Sequence, residues 1–146
     1  MKRKEFIKTC GWGCAGLMVG MSGLSSCVGT QHLSAELKEG YLLVPLAAFL
    51  VNKKGKSRYR SYVVAHHESL QYPIGLFRFS STEYEALWMR CTHQGTELQI
   101  YGDRLQCPAH GSEFSNTGSV KNGPADDPLR TFPVNIESNT LKIYLR

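Results

Sequence analysis

Apolar residues in this chain fall in short runs separated by Gly, Pro, Asn or Ser. Beyond residue 27 no stretch carries the three-and-four spacing of an amphipathic helix. Residues 74–79 read I-G-L-F-R-F, and with 61–65 and 85–90 they form strand-length segments rich in β-branched and aromatic side chains. Residues 42–51 read as an apolar strand, or two, broken by Pro45. Residues 97–101 and 104–106 flank Gly102-Asp103, a hairpin turn pair. Residues 132–137 and 141–145 form a closing hairpin over Ser138-Asn139-Thr140. Residues 28–39 are polar and read as a tether. The pattern predicts a small all-β domain of stacked antiparallel sheets over residues 41–146.

Two short stretches carry the candidate chemistry: C-T-H at 91–93 and C-P-A-H at 107–110. Each sets a cysteine two or three residues before a histidine on a turn-forming segment, closed by Gly95 and Gly111. The thirteen residues between them, 94–106, suffice for one short hairpin, which would bring both loops side by side. Two thiolates and two imidazoles fit a sulfide-bridged pair of irons, one iron taking Cys91 and Cys107 and the other His93 and His110. Zinc also accepts two Cys and two His, although its usual spacing pairs like with like. His93 and His110 as ordinary surface histidines is the remaining alternative.

Here the chain resembles the Rieske [2Fe–2S] family. C-T-H-Q-G at 91–95 and C-P-A-H-G-S at 107–112 match its two cluster loops, and N-G-P-A at 122–125 looks like its proline loop, which brings Gly123 and Pro124 over the cluster. The likeness spans roughly residues 41–146 and is nearest to the Rieske subunits of cytochrome bc-type complexes. It implies a [2Fe–2S] cofactor at one tip of the fold, with both histidines facing solvent where electrons enter and leave. It also implies a Ser112 hydroxyl that donates to a bridging sulfide. The chain departs from that branch in three places. Thr96 and Ala109 stand where a loop-clamping disulfide is expected, and Phe114 stands where a tyrosine hydroxyl would reach a cluster cysteine.

The other three cysteines, Cys10, Cys14 and Cys27, lie in an N-terminal segment that reads as targeting sequence. Lys2, Arg3, Lys4 and Lys8 give a positive start, and a Gly-rich apolar middle ends in L-S-S-C at 24–27. This resembles a bacterial lipoprotein signal over residues 1–26, with Cys27 lipidated and residues 27–40 forming the tether. A retained transmembrane anchor and a plain cleaved signal are the alternatives. The run R-K-E-F-I-K at 3–8 also looks like a weakened twin-arginine signal. Cleavage before Cys27 would leave 120 residues and lower the net charge from +5 to +2, so much of the basicity belongs to the signal. No nucleic-acid footprint follows. The run K-K-G-K-S-R-Y-R at 53–60 reads as a solvated hairpin turn, or less simply as a docking face for an acidic partner or anionic headgroups. His66 and His67 read as loop residues, and Asp126-Asp127 as a solvated loop.

These readings make the chain an electron-transfer protein without an independent catalytic site, held by lipid in a bacterial cell envelope and facing the periplasm. Its partners would be a quinol-oxidising membrane protein and a cytochrome or similar acceptor. A Rieske ferredoxin feeding an oxygenase and a zinc-binding module are the competing expectations.

Overall fold

The computed structural model describes residues 29–146, so the signal, Cys27 and its lipidation lie outside the described residues. Among the described residues fifteen strands and one 3-10 turn follow one another. They are β1 (His32–Ser34), β2 (Glu36–Lys38), β3 (Tyr41–Pro45), the 3-10 turn Leu46–Phe49, β4 (Leu50–Lys53), β5 (Lys56–Tyr59), β6 (Tyr62–His66), β7 (Ile74–Arg78), β8 (Tyr84–Trp88), β9 (Gln99–Tyr101), β10 (Arg104–Gln106), β11 (Glu113–Ser115), β12 (Val120–Asn122), β13 (Thr131–Phe132), β14 (Val134–Glu137) and β15 (Thr140–Tyr144). The all-β class read from the sequence is the class observed.

The strands form a five-stranded sheet β1-β6-β7-β8-β13, a four-stranded sheet β14-β15-β3-β2, a second four-stranded sheet β12-β11-β10-β9, and the ribbon β4-β5. The five-stranded sheet is the middle layer. Side chains alternate between its faces, and both faces are covered. Val63, Ala65, Ile74, Leu76 and Ala86 pack with Leu42, Val44, Leu141 and Ile143 in one core. Val64, Phe77, Leu87 and Met89 pack with Leu98, Ile100, Leu105 and Phe114 in the other. Two-sided burial explains why β6 and β7 read as nearly continuous apolar runs. Gly75 lets the layers approach, since a Cβ there would meet Ile100 Cδ1 at 3.1 Å. The β9–β12 sheet, which carries the loops of interest, therefore rests on the central sheet.

Three expectations need correction. The stretch 28–39 is not merely a tether, because β1 and β2 lie within it. β1 pairs parallel with β6, and β2 pairs antiparallel with β3. The Ala35 N–H donates to the His66 carbonyl at 2.8 Å, and the Val64 N–H to the Gln31 carbonyl at 2.9 Å. Backbone pairing at an open sheet edge recruits a polar segment that buries only Ala35 fully. The same pairing means the sheets are not purely antiparallel. His66 likewise ends β6 rather than sitting in a loop, and its Nε2 lies 2.8 Å from His32 Nδ1. The 53–60 run is the expected hairpin, turning at Lys54 (φ 51°) and Gly55 (φ 74°).

Candidate metal centre

The two Cys–His stretches fold into the same turn twice. The Cys91 N–H donates to the Thr96 carbonyl, and the Gly95 N–H to the Cys91 carbonyl, both at 2.8 Å. In the second loop the Cys107 N–H donates to the Ser112 carbonyl at 2.8 Å, and the Gly111 N–H to the Cys107 carbonyl at 3.0 Å. Gly95 (φ 73°) and Gly111 (φ 79°) take the left-handed conformation that lets each turn close on its cysteine. The antiparallel β9–β10 hairpin brings the two turns together, as the thirteen-residue gap predicts.

Each turn sends its cysteine inward and its histidine outward. Cys91 and Cys107 are buried at 1 % exposure, unbonded to each other, while His93 and His110 are exposed. The two imidazole rings lie 5.3 Å apart, centre to centre, at 90°. Burial alone would push the Cys107 thiol up. The backbone N–H groups of Ala109 and His110, with the side chains of Cys91 and Thr96, outweigh it and hold the thiol below its usual range. A sulfur surrounded by donors is prepared to carry negative charge, as a metal-bound thiolate must. Thr96 thus has a role that sequence reading missed, since there it marks only a missing cysteine. Its equivalence to Ser112 in the two repeated turns was the available signal.

Three further contacts fix the loops. Ser112 is fully buried, and its Oγ accepts the Ala125 N–H at 3.0 Å, tying the 122–125 segment against the second loop. Asn122 Nδ2 donates to the Gly111 carbonyl at 3.3 Å, and Thr92 Oγ1 donates to the Asp127 carbonyl at 2.7 Å, so this segment bridges both loops. Gly123 and Pro124 are exposed on it, as are Asp126 and Asp127. The Tyr72 hydroxyl donates to the Gly95 carbonyl at 2.5 Å, a contact nothing in the sequence announced. Phe114 is fully buried in the second core, beneath the loops, paired across β10–β11 with Leu105.

The donor set suits two irons. Two sulfurs face one another in the interior, and two imidazoles sit together at the rim. Among the described residues, no three His, Cys, Asp or Glu side chains gather as a single-ion site, and a centre with two protein ligands per iron needs no such group.

This fold and this paired-loop site define a small iron–sulfur domain. Residues 51–133 match the Rieske [2Fe-2S] domain, and the chain belongs to that family. As a Rieske domain it binds a [2Fe–2S] cluster. Over 55 residues the chain is 36 % identical to the cytochrome b6-f complex iron-sulfur subunit 2 of Nostoc sp., covering 36 % of this chain and 31 % of that one. It therefore spans about a third of the length of the cytochrome b6-f relatives it matches. It is 34 % identical over 77 residues to the 3-phenylpropionate/cinnamic acid dioxygenase ferredoxin subunit of Shigella boydii, covering 49 % of this chain and 72 % of that one. Among solved structures, the cyanobacterial plasma membrane Rieske protein PetC3 from Synechocystis aligns with a TM-score of 0.50 at 26 % identity, covering 57 % of this chain and 85 % of that one.

Proposed function

We propose that Cys91 and Cys107 hold one iron of the cluster and His93 and His110 the other. The observation that carries this is the pairing of two buried thiols, that of Cys107 ringed by donors, with two adjacent exposed imidazoles on repeated turns. When bound, the cluster supplies a one-electron redox centre. The chain's own residues then have separable tasks. Leu98, Leu105 and Phe114 exclude water from beneath it. The amides of Ala109 and His110 and the hydroxyls of Thr96 and Ser112 offer hydrogen bonds that favour added negative charge. His93 and His110 present the outer edge to a partner. Iron and acid-labile sulfide analysis, with an EPR spectrum of the dithionite-reduced protein, tests the assignment. Two irons and two sulfides per chain support it, and a colourless, EPR-silent zinc protein would refute it.

The fuller reading is a lipoprotein electron carrier of the bacterial cell envelope, processed before Cys27 and facing the periplasm. It takes electrons from a quinol-oxidising membrane protein and delivers them to a cytochrome or similar acceptor. The L-S-S-C segment and the likeness to cytochrome b6-f subunits favour it. Among the described residues no helix is long and apolar enough to cross a membrane. Mass spectrometry of the mature N-terminus tests this part: a diacylated Cys27 is expected, and retained residues 10–24 would count against it.

A second reading, delivery of electrons to an oxygenase, has its own support. Thr96 and Ala109 leave the loops without a disulfide, and one relative is an oxygenase ferredoxin subunit. Reduction of the protein by a quinol-oxidising membrane preparation separates the two.

A further inference from the structure

The β4–β5 ribbon projects from the fold with almost every residue exposed. Its residues 50–60 contain three Lys, two Arg and no Asp or Glu. Register puts Val51 opposite Arg58 and Lys53 opposite Lys56, so these four share one face. Like charges directly opposite one another oppose strand pairing, and the ribbon's own folding gains nothing from Lys53 against Lys56. Among the described residues, neither they nor Lys54 nor Arg58 has an ion pair. A positive face kept at a cost to its own hairpin is built for a negative partner.

The position of that face identifies the partner. Val51, Arg58 and Arg60 border a cleft of about 360 Å³ together with Gly29 and Gly102. Arg60 Nη1 donates to the Gly29 carbonyl at 3.2 Å. Gly29 lies two residues from Cys27, the residue read above as the lipidated one. β1 begins at His32, so few residues separate that cysteine from the folded domain. A lipid-held chain would bring the ribbon onto the headgroups. Gly102 is the turn of the β9–β10 hairpin, whose opposite end carries Cys107 and leads back to the first loop. Three residues of strand span roughly 10 Å. The metal-site loops therefore lie at the far end of that hairpin from the basic cleft.

We propose that the basic ribbon face is a headgroup-binding surface that seats the domain on an anionic phospholipid bilayer, with the metal-site loops turned away from it. The seating rests on the lipid-anchored reading above, whereas affinity of the ribbon for anionic headgroups does not. The acceptor would then meet His93 and His110 from the aqueous side, and a membrane-held donor would reach them through the part of it that stands above the headgroups.

The test uses the processed protein isolated from cells, bound to vesicles of phosphatidylcholine alone or with phosphatidylglycerol. Lysine acetylation by a water-soluble reagent is followed residue by residue by mass spectrometry. In phosphatidylglycerol vesicles Lys53, Lys54 and Lys56 should react about tenfold more slowly, and high salt should restore them. Lys121, on β12 beside the second loop, should keep its rate and report the orientation. A K53E/K56E/R58E variant should lose the phosphatidylglycerol dependence of any remaining protection. Unchanged lysine rates in phosphatidylglycerol, or protection of Lys121 in place of the ribbon, would overturn the proposal. Failure to attach to pure phosphatidylcholine would instead sink the lipid-anchor reading. The same sample's sedimentation with phosphatidylglycerol vesicles, alone and with the charge-reversed variant, would still decide the ribbon: equal sedimentation of both forms rejects it.

Discussion

The Tyr72 hydroxyl donates to the Gly95 carbonyl, joining the segment before β7 to the first Cys–His turn. Tyr72 is held in turn by Trp88, whose ring meets it edge-on at 5.6 Å and 83°. Arg90 closes the other side. Its guanidinium lies 5.6 Å from the Trp88 ring, and its atoms leave only 3.3 Å for a Cβ at Gly95. Thr96 and Ala109 offer no disulfide, so side-chain packing from outside the loops supplies a brace for the turn that positions His93.

Tyr72→Phe isolates that brace. It keeps the ring against Trp88 and deletes one half-buried hydrogen bond, worth about 0.5–1.5 kcal/mol. Global stability should fall by no more than that. Loss of iron to a chelator should accelerate by a larger factor, because the local opening of the first loop controls it. Thermal melting beside chelator-release kinetics checks both. Equal, small effects on the two would mean that Tyr72 serves the fold alone.

Replacing any one of Cys91, His93, Cys107 and His110 by Ala should yield protein without a [2Fe–2S] cluster. The core shared by β3, β6, β7 and β15 lies on the other face of the central sheet. Its strand content should survive in far-ultraviolet circular dichroism, while iron and sulfide analysis falls to background. A normal Rieske EPR signal from His110→Ala would disprove the ligand set.

Glu85 in β8 gives a pH prediction. Partial burial beside Phe77 raises its pKa above the ordinary carboxylate range. The folded state therefore binds this proton more tightly than the unfolded state. Ionisation costs stability as pH rises through the folded value, and the cost disappears below the unfolded value of about 4. Glu85→Gln should raise the melting temperature at neutral pH, and the gain should vanish near pH 4. A gain independent of pH would point to packing instead.

The all-β class, the β9–β10 hairpin and both Cys–His turns were legible because local chemistry fixes them. Alternation, Gly102-Asp103 and the glycines at 95 and 111 act within a few residues. β1 and β2 were not legible. Their polar side chains carry little pattern, and they are strands because the backbones of β6 and β3 offer partners. Pro45 does end the first strand of 42–51, but the four-residue turn that follows and buries Phe49 carries no local signal. Tyr72 and Arg90 were invisible as site residues for a related reason. Their effect on the first loop depends on Trp88 and on distances that no local spacing encodes.

Ser112→Ala separates two jobs of one hydroxyl. As acceptor, Ser112 Oγ holds the Ala125 N–H at 3.0 Å in a fully buried setting. Removing it strands that N–H, at a cost of about 1–3 kcal/mol, and should loosen the 122–125 segment. Its hydroxyl hydrogen remains available to the cluster sulfur that the family resemblance implies. A hydrogen bond to sulfur favours the reduced state, which carries one more negative charge, and so raises the potential. The unaltered protein should have a midpoint potential inside the span of about −150 to +300 mV for Rieske centres, below its upper end, because Phe114 has no hydroxyl and the loops have no disulfide. Ser112→Ala should lower it further. Denaturant unfolding reads the first job and an EPR-monitored redox titration the second. A variant that loses stability but keeps its potential would leave Ser112 only the structural role, as the anchor of Ala125.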